Sequence, residues 1–200
     1  MTKPTDAQHA ALAEKTSGMS ISNGAAVNDE FLKHRIALYD QIKAKRQAEL
    51  AAQPRIPIKL TLPDARIMDG VSWETCPIDI AKQLSRSLAD RALVARVNGE
   101  LWDLNRPFEK DSTVEILDFD SDDGKQVFWH SSAHILGEAC EGTYHSCHLC
   151  YGPPIEEGFY YEMGMKGTVS TTDYPVLEAK AKSIVAEKQV FERLEMTKEE

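Results

Sequence analysis

Asn98-Gly99 lies between two short apolar runs, Ala92 to Val97 and Leu101 to Leu104, and no other pair constrains the chain as strongly. A two-residue hairpin turn needs positive φ, which asparagine and glycine accept at the least steric cost. The pair predicts an antiparallel hairpin. Its surroundings extend that reading. Ile58-Lys-Leu60-Thr-Leu62 alternates with period two, as a strand with one buried face does. Pro63-Asp64 signals a turn, Ile67 and Met68 begin a returning strand, and Val114 to Leu117 supplies a last one. Between these, Pro77 opens a helix in which Ile78, Ile80, Ala81, Leu84 and Leu88 recur at helical spacing. Residues 56–118 thus predict a small α+β unit, and Asp118 to Asp123 reads as an acidic linker closed by Gly124.

The flanking segments follow different patterns. Residues 1–27 hold hardly any large apolar side chain and predict a disordered tail, because too little surface can be buried to offset the cost of ordering. Residues 28–55 predict a basic helical extension, with Asn28 or Asp29 as cap and Pro54 as stop. Leu32, Ile36 and Tyr39 mark one stripe, with Leu38 and Ile42 beside it. Lys33, Arg35, Lys43, Lys45 and Arg46 make the helix locally basic, which is either a solvated face or a salt-dependent phosphate contact. Residues 119–200 predict a helix from Val127 to Glu141, a turn at Gly152-Pro-Pro, and an aromatic β segment at Phe159-Tyr160-Tyr161. A final helix from Tyr174 follows, capped by Thr172 or Asp173. Phe191 to Glu200 carries no stop signal and no evident partner.

The net charge of −9 argues against a generally basic nucleic-acid binder, although local basic faces are compatible with it. Four cysteines, three of them between Cys140 and Cys150, do not form a secreted disulfide framework and fit a reducing compartment. No run approaches the roughly 18 apolar residues of a membrane span, and the start of the chain has neither signal-peptide nor transit-peptide character. The expectation is a soluble cytoplasmic protein with no membrane partner. There is no phosphate-binding G-x-x-x-x-G-K-[ST].

His130-Ser-Ser-Ala-His134 is the motif with most chemistry in it. Histidines at i and i+4 of a helix share a face. Neutral imidazoles near pH 7 accept protons, orient water or bind metal. The bland alternative is one packed histidine and one solvated one. Glu138, a turn further on, either orients His134 or is simply solvated. Cys147-x-x-Cys150, with His145 and His148 close by, has the spacing of a zinc knuckle. It lacks a second, similarly spaced pair, so plain packed cysteines are the first reading, with a metal site and a redox role as the alternatives.

These motifs, in this order and spacing, resemble the threonyl-tRNA synthetases of the eukaryotic cytosolic type. Residues 56–118 resemble their TGS domain, a β-grasp module. Residues 119–200 resemble the first part of their editing domain, through His130-Ser-Ser-Ala-His134, Tyr151-Gly-Pro-Pro-Ile-Glu-Glu-Gly-Phe-Tyr-Tyr161 and Phe191-Glu-Arg-Leu-Glu. The fold class implied is α+β: a β-grasp TGS domain followed by an incomplete α+β editing domain, with an N-terminal helical extension. The family attaches threonine to its tRNA using ATP and hydrolyses serine wrongly esterified to that tRNA. The resemblance implies His130 and His134 as catalytic editing residues that hold the tRNA 3′ end and the water, and Tyr160 and Tyr161 as substrate-binding aromatics. It also implies threonine tRNA as partner, and a homodimer formed through an aminoacylation core that also uses ATP, Mg and Zn. That core, and the Cys-x-x-x-His that completes the family's editing site, are not found among these 200 residues. The expectation is therefore an N-terminal region that neither charges tRNA nor edits alone. Two alternatives stay open: a free-standing, non-catalytic TGS-containing module that binds tRNA, and a structural metal protein using Cys147 and Cys150.

Overall fold

The computed structural model describes residues 29–145 and 147–200. The tail expected over 1–27 lies outside them. The chain divides into two compact units, one formed by Arg35–Trp129 with Phe191–Glu200, the other by His130–Val190 with the described residues up to His34.

The first unit is built on a five-stranded mixed sheet. Its strands are β1 (Pro57–Thr61), β2 (Ile67–Val71), β3 (Val94–Val97), β4 (Glu100–Trp102) and β5 (Ser112–Leu117), in the order β2-β1-β5-β3-β4. β1 and β5 are parallel, pairing Leu60 with Ser112, and the other neighbours are antiparallel. A parallel pair needs a long crossover, and helices α2 (Pro77–Leu84) and α3 (Arg86–Arg91), with the β3–β4 hairpin, provide it. Ile58 and Leu60 turn inward from β1 while Pro57 and Lys59 face out, as period two demands. They pack with Ile80 of α2, Ala95 and Val97 of β3, Val114 of β5, and Phe108. This is an α+β fold of β-grasp type.

The hairpin turn forms as expected, with Asn98 at φ 52° and Gly99 at φ 89°. Asn98 adds a role that spacing does not show. Its side chain accepts the Thr113 amide at 2.9 Å and donates to Ser112 Oγ at 3.1 Å, which ties the hairpin to β5.

Three expectations are corrected. The helix expected to run through Leu88 breaks at Ser85, whose backbone is extended and whose Oγ accepts the Leu88 amide at 3.0 Å, capping α3. The return strand expected to reach Leu104 stops at Trp102, because the Asp103 carboxylate accepts the Asn105 amide at 2.7 Å and starts a turn. The acidic linker is in part a helix N-terminus: α4 spans Asp122–Glu141. Ser121 Oγ accepts the Gly124 amide at 3.1 Å, and Asp122 and Asp123 lie where the helix dipole favours negative charge. Gly124 is required there, since a Cβ would lie 1.8 Å from the Asp118 carbonyl oxygen.

Helix α1 (Asp29–Ala51) matches its expected span. Of its apolar residues Ile42 is buried, while Ile36 and Leu38 are exposed, so the expected stripe is not an inward face. Phe191–Glu200 has a partner after all: within the first unit, its glutamates lie along α1 from Tyr39 to Arg46.

The second unit holds the later turns of α4, two short ribbons and α5 (Tyr174–Glu187). β6 (His148–Tyr151) pairs with β9 (Glu162–Gly164), with a bulge between Leu149 and Tyr151, and β7 (Pro154–Ile155) pairs with β8 (Gly158–Phe159). Cys140, Tyr144, Cys147 and Leu177 form its core, with Leu136, Leu149, Met163 and Met165 around them. Tyr144 Oη donates to Asp173 at 3.0 Å, and the same carboxylate oxygen accepts the Ser170 amide at 3.0 Å. Asp173 is thus the residue before α5, but it fastens Tyr144 and the preceding loop rather than capping helix amides. Among the described residues no helix is long and apolar enough to cross a membrane.

Candidate functional site

His130 and His134 stand one turn apart on α4 because i and i+4 side chains overlie one another. Their rings are stacked, with centroids 4.9 Å apart and planes 24° apart, and both are exposed. Desolvation, and then the neighbouring His130, hold His134 below an ordinary histidine, so its neutral form is favoured. The sign for stability follows: the unfolded chain binds the proton more readily, so His134 opposes folding as pH falls through its unfolded value.

The next turn of the same face is Gly137, and it is there that Tyr161 packs. A Cβ on Gly137 would lie 2.8 Å from Tyr161 Cε2, and one on Gly152 would lie 2.4 Å from the same atom. The ring is therefore held between two glycines, one on α4 and one in the turn before Pro153. Burial raises the Tyr161 phenol above its usual range, with Glu141 the next contributor. It stays protonated and can donate a hydrogen bond.

Tyr160 goes elsewhere. It is exposed, and its ring meets Tyr151 edge to face at 6.4 Å. The two tyrosines expected to act together are separated: Tyr161 joins the histidine face, while Tyr160 pairs with Tyr151. Glu138 does not orient His134; it accepts from Gln189 Nε2 at 2.9 Å.

Cys147 is buried in the core of this unit, and burial raises its thiol. Cys150 sits at the bulge of β6 and is exposed. Among the described residues no three His, Cys, Asp or Glu side chains come together as a metal site, so the knuckle spacing does not become a knuckle. A knuckle needs a turn between its cysteines, and these two lie along an extended segment.

The feature that spacing alone does not reveal is the pair of glycines. Gly137 falls on the histidine strip and Gly152 precedes Pro153-Pro154, and a glycine where a helix face meets a strand signals close approach of another group. Gly152→Ala should lower stability by about 1–3 kcal/mol through overpacking against Tyr161. Gly164→Ala, whose Cβ would meet only ordinary contacts starting at 3.7 Å from Cys150 Sγ, should change it by less than about 0.5 kcal/mol. Urea unfolding of the two variants decides the matter; equal midpoints would show that the ring is not wedged.

Comparison with known proteins shows what the chain is similar to. A TGS domain model matches residues 58–118. The cytoplasmic threonine–tRNA ligase of Caenorhabditis elegans is 53% identical over 171 residues, covering 85% of this chain and 23% of the relative. That of Saccharomyces cerevisiae is 46% identical over 185 residues, 85% of this chain and 25% of the relative. Human cytoplasmic threonine–tRNA ligase 1 is 49% identical over 174 residues, 85% and 24% respectively. The chain spans about a quarter of the length of the curated relatives it matches.

Proposed function

We propose, for a chain similar to cytoplasmic threonine–tRNA ligases over 85% of its length and carrying a TGS domain, that it supplies the first half of an editing site within a threonine–tRNA ligase. The ligase joins threonine to its tRNA using ATP in the cytoplasm, and His130, His134 and Tyr161 receive the 3′ end of that tRNA when serine has been attached in error. The observation that carries this reading is the stacked pair at 4.9 Å, with Tyr161 held a turn further along the same face.

The chemistry is ester hydrolysis. The neutral imidazole of His134 accepts a hydrogen bond from a water, and His130 is placed beside it to hold the terminal ribose. The water oxygen attacks the ester carbonyl, the carbonyl–ribose oxygen bond breaks, and the ribose oxygen leaves with a proton as a hydroxyl. The Tyr161 phenol, kept protonated, donates to the substrate. A second site is needed because threonine exceeds serine by one methyl, worth only about 1–3 kcal/mol in a pocket. ATP, Mg and Zn belong, in this reading, to the ligase's aminoacylation core, through which we also propose it dimerises. No residue of this chain is assigned to them, and among the described residues no three His, Cys, Asp or Glu side chains come together.

The test is NMR of the two imidazoles in the 200-residue chain. His134 should titrate below an ordinary histidine (about 6.5), and His130→Gln should move it up, because the His130 charge holds it down. A non-hydrolysable seryl ester analogue of the terminal adenosine should then shift the His130, His134 and Tyr161 resonances together. Shifts confined to other residues would overturn the assignment.

A further inference from the structure

Five donors on α1 grip Phe191–Glu200 in a pattern that resembles phosphate recognition. Tyr39 Oη donates to Glu192 Oε2 at 2.7 Å, and Lys43 Nζ meets Oε1 of the same carboxylate at 2.6 Å. One turn on, Lys45 Nζ and Arg46 Nη2 take the two oxygens of Glu200 at 2.7 and 2.6 Å, and Arg46 Nε donates to the Glu195 carbonyl at 3.0 Å. Tyr39, Lys43 and Arg46 follow at i, i+4 and i+7, so they share one helix face. Each carboxylate is thus held between two α1 donors. Anionic oxygens bridged by pairs of lysine, arginine and tyrosine donors are also how proteins hold a sugar–phosphate backbone.

We propose that this face of α1 is a binding site for the phosphates of RNA, and that Phe191–Glu200 covers it by occupying the phosphate positions with Glu192 and Glu200. The inference rests on the reading that the chain serves a tRNA ligase, and it adds a second contact made by residues other than the histidine pair. An anionic membrane is the poorer fit. Lying on a membrane takes a continuous apolar face, whereas the exposed Ile36 and Leu38 stand about 200° apart around the helix. A chain of net charge −9 gains little from general attraction to a polyanion, so binding must be local. A site that is open only part of the time binds with an affinity reduced by that fraction, so the glutamates set the strength of the contact.

The test is fluorescence anisotropy of the 200-residue chain with a labelled threonine tRNA transcript at about 50 mM salt. Glu192→Gln with Glu200→Gln should tighten binding about 5- to 10-fold, as expected if the face is covered about 80–90% of the time. Adding Lys43→Ala and Arg46→Ala should abolish the gain. The same charge change at Glu156 and Glu157 should produce none. No gain, a gain that survives loss of Lys43 and Arg46, or an equal gain at Glu156 and Glu157 would overturn the proposal, as would an equal gain on vesicles rich in anionic lipid. His130→Ala with His134→Ala should leave the gain intact. If that pair proves irrelevant to ester hydrolysis while the gain persists, only the editing role falls.

Discussion

Serine release from mischarged threonine tRNA should fall about 10²-fold in a complete ligase carrying His130→Ala, and by a similar factor with His134→Ala. A positioned acid–base group contributes about 10²- to 10⁴-fold, and loss of alignment alone can cost about 10². The lower figure is the better expectation, because the stacked imidazoles can partly stand in for one another in holding water. For the same reason the double variant should be clearly worse than either single one, since no imidazole is then left to stand in and the two losses are not independent. Aminoacylation by the same variants should be unchanged, because neither histidine is assigned to that reaction. Deacylation at the wild-type rate with His130→Ala would remove the histidines from the mechanism.

A different kind of loss is expected at Phe108. It is completely buried at the centre of the β-grasp core. Its amide donates to the Thr75 carbonyl at 2.9 Å and its carbonyl accepts from the Trp73 amide at 2.6 Å, so its backbone is fixed and cannot move in to fill a hole. Phe108→Ala should cost about 3–5 kcal/mol, a large share of the ~5–15 kcal/mol that holds a typical domain together. Leu101, half exposed on edge strand β4, is the control, and its alanine variant should change stability little. Urea unfolding followed by tryptophan fluorescence measures both. A loss below about 1 kcal/mol at Phe108 would mean that the cluster is not the centre of cooperativity.

What could be read from the sequence was what is local. The Asn98-Gly99 turn, the alternation at Ile58 and Leu60 and the helix opened by Pro77 each depend on neighbours a few residues away, and each is found where it was expected. The errors came where a polar side chain redirects the backbone. Ser85 and Ser121 both cap helices, but Ser85 lies inside an apolar pattern that masks it, and Ser121 lies inside an acidic run that reads as linker. Phe108 follows Asn105-Arg106-Pro107 with no periodicity to mark it as core. At the candidate site the histidine stacking followed from helix geometry alone. Which of Tyr160 and Tyr161 would face α4 did not, because it depends on Gly137 and Gly152 leaving room for one ring. The interplay of α1 with Glu192 and Glu200 spans about 150 positions of sequence, beyond the reach of any pattern.

The parallel pairing of Leu60 with Ser112 sets a timetable for the growing chain. β1 leaves the ribosome about fifty residues ahead of the strand that must lie beside it. At roughly 5–20 residues per second, it waits several seconds with Ile58 and Leu60 uncovered and one hydrogen-bonding edge empty. Pairing with β2 shelters its other edge early. Slow codons or a stalled ribosome within that window would expose a sticky edge to other nascent chains, so the rate of translation through residues 62–111 should influence the yield of folded protein.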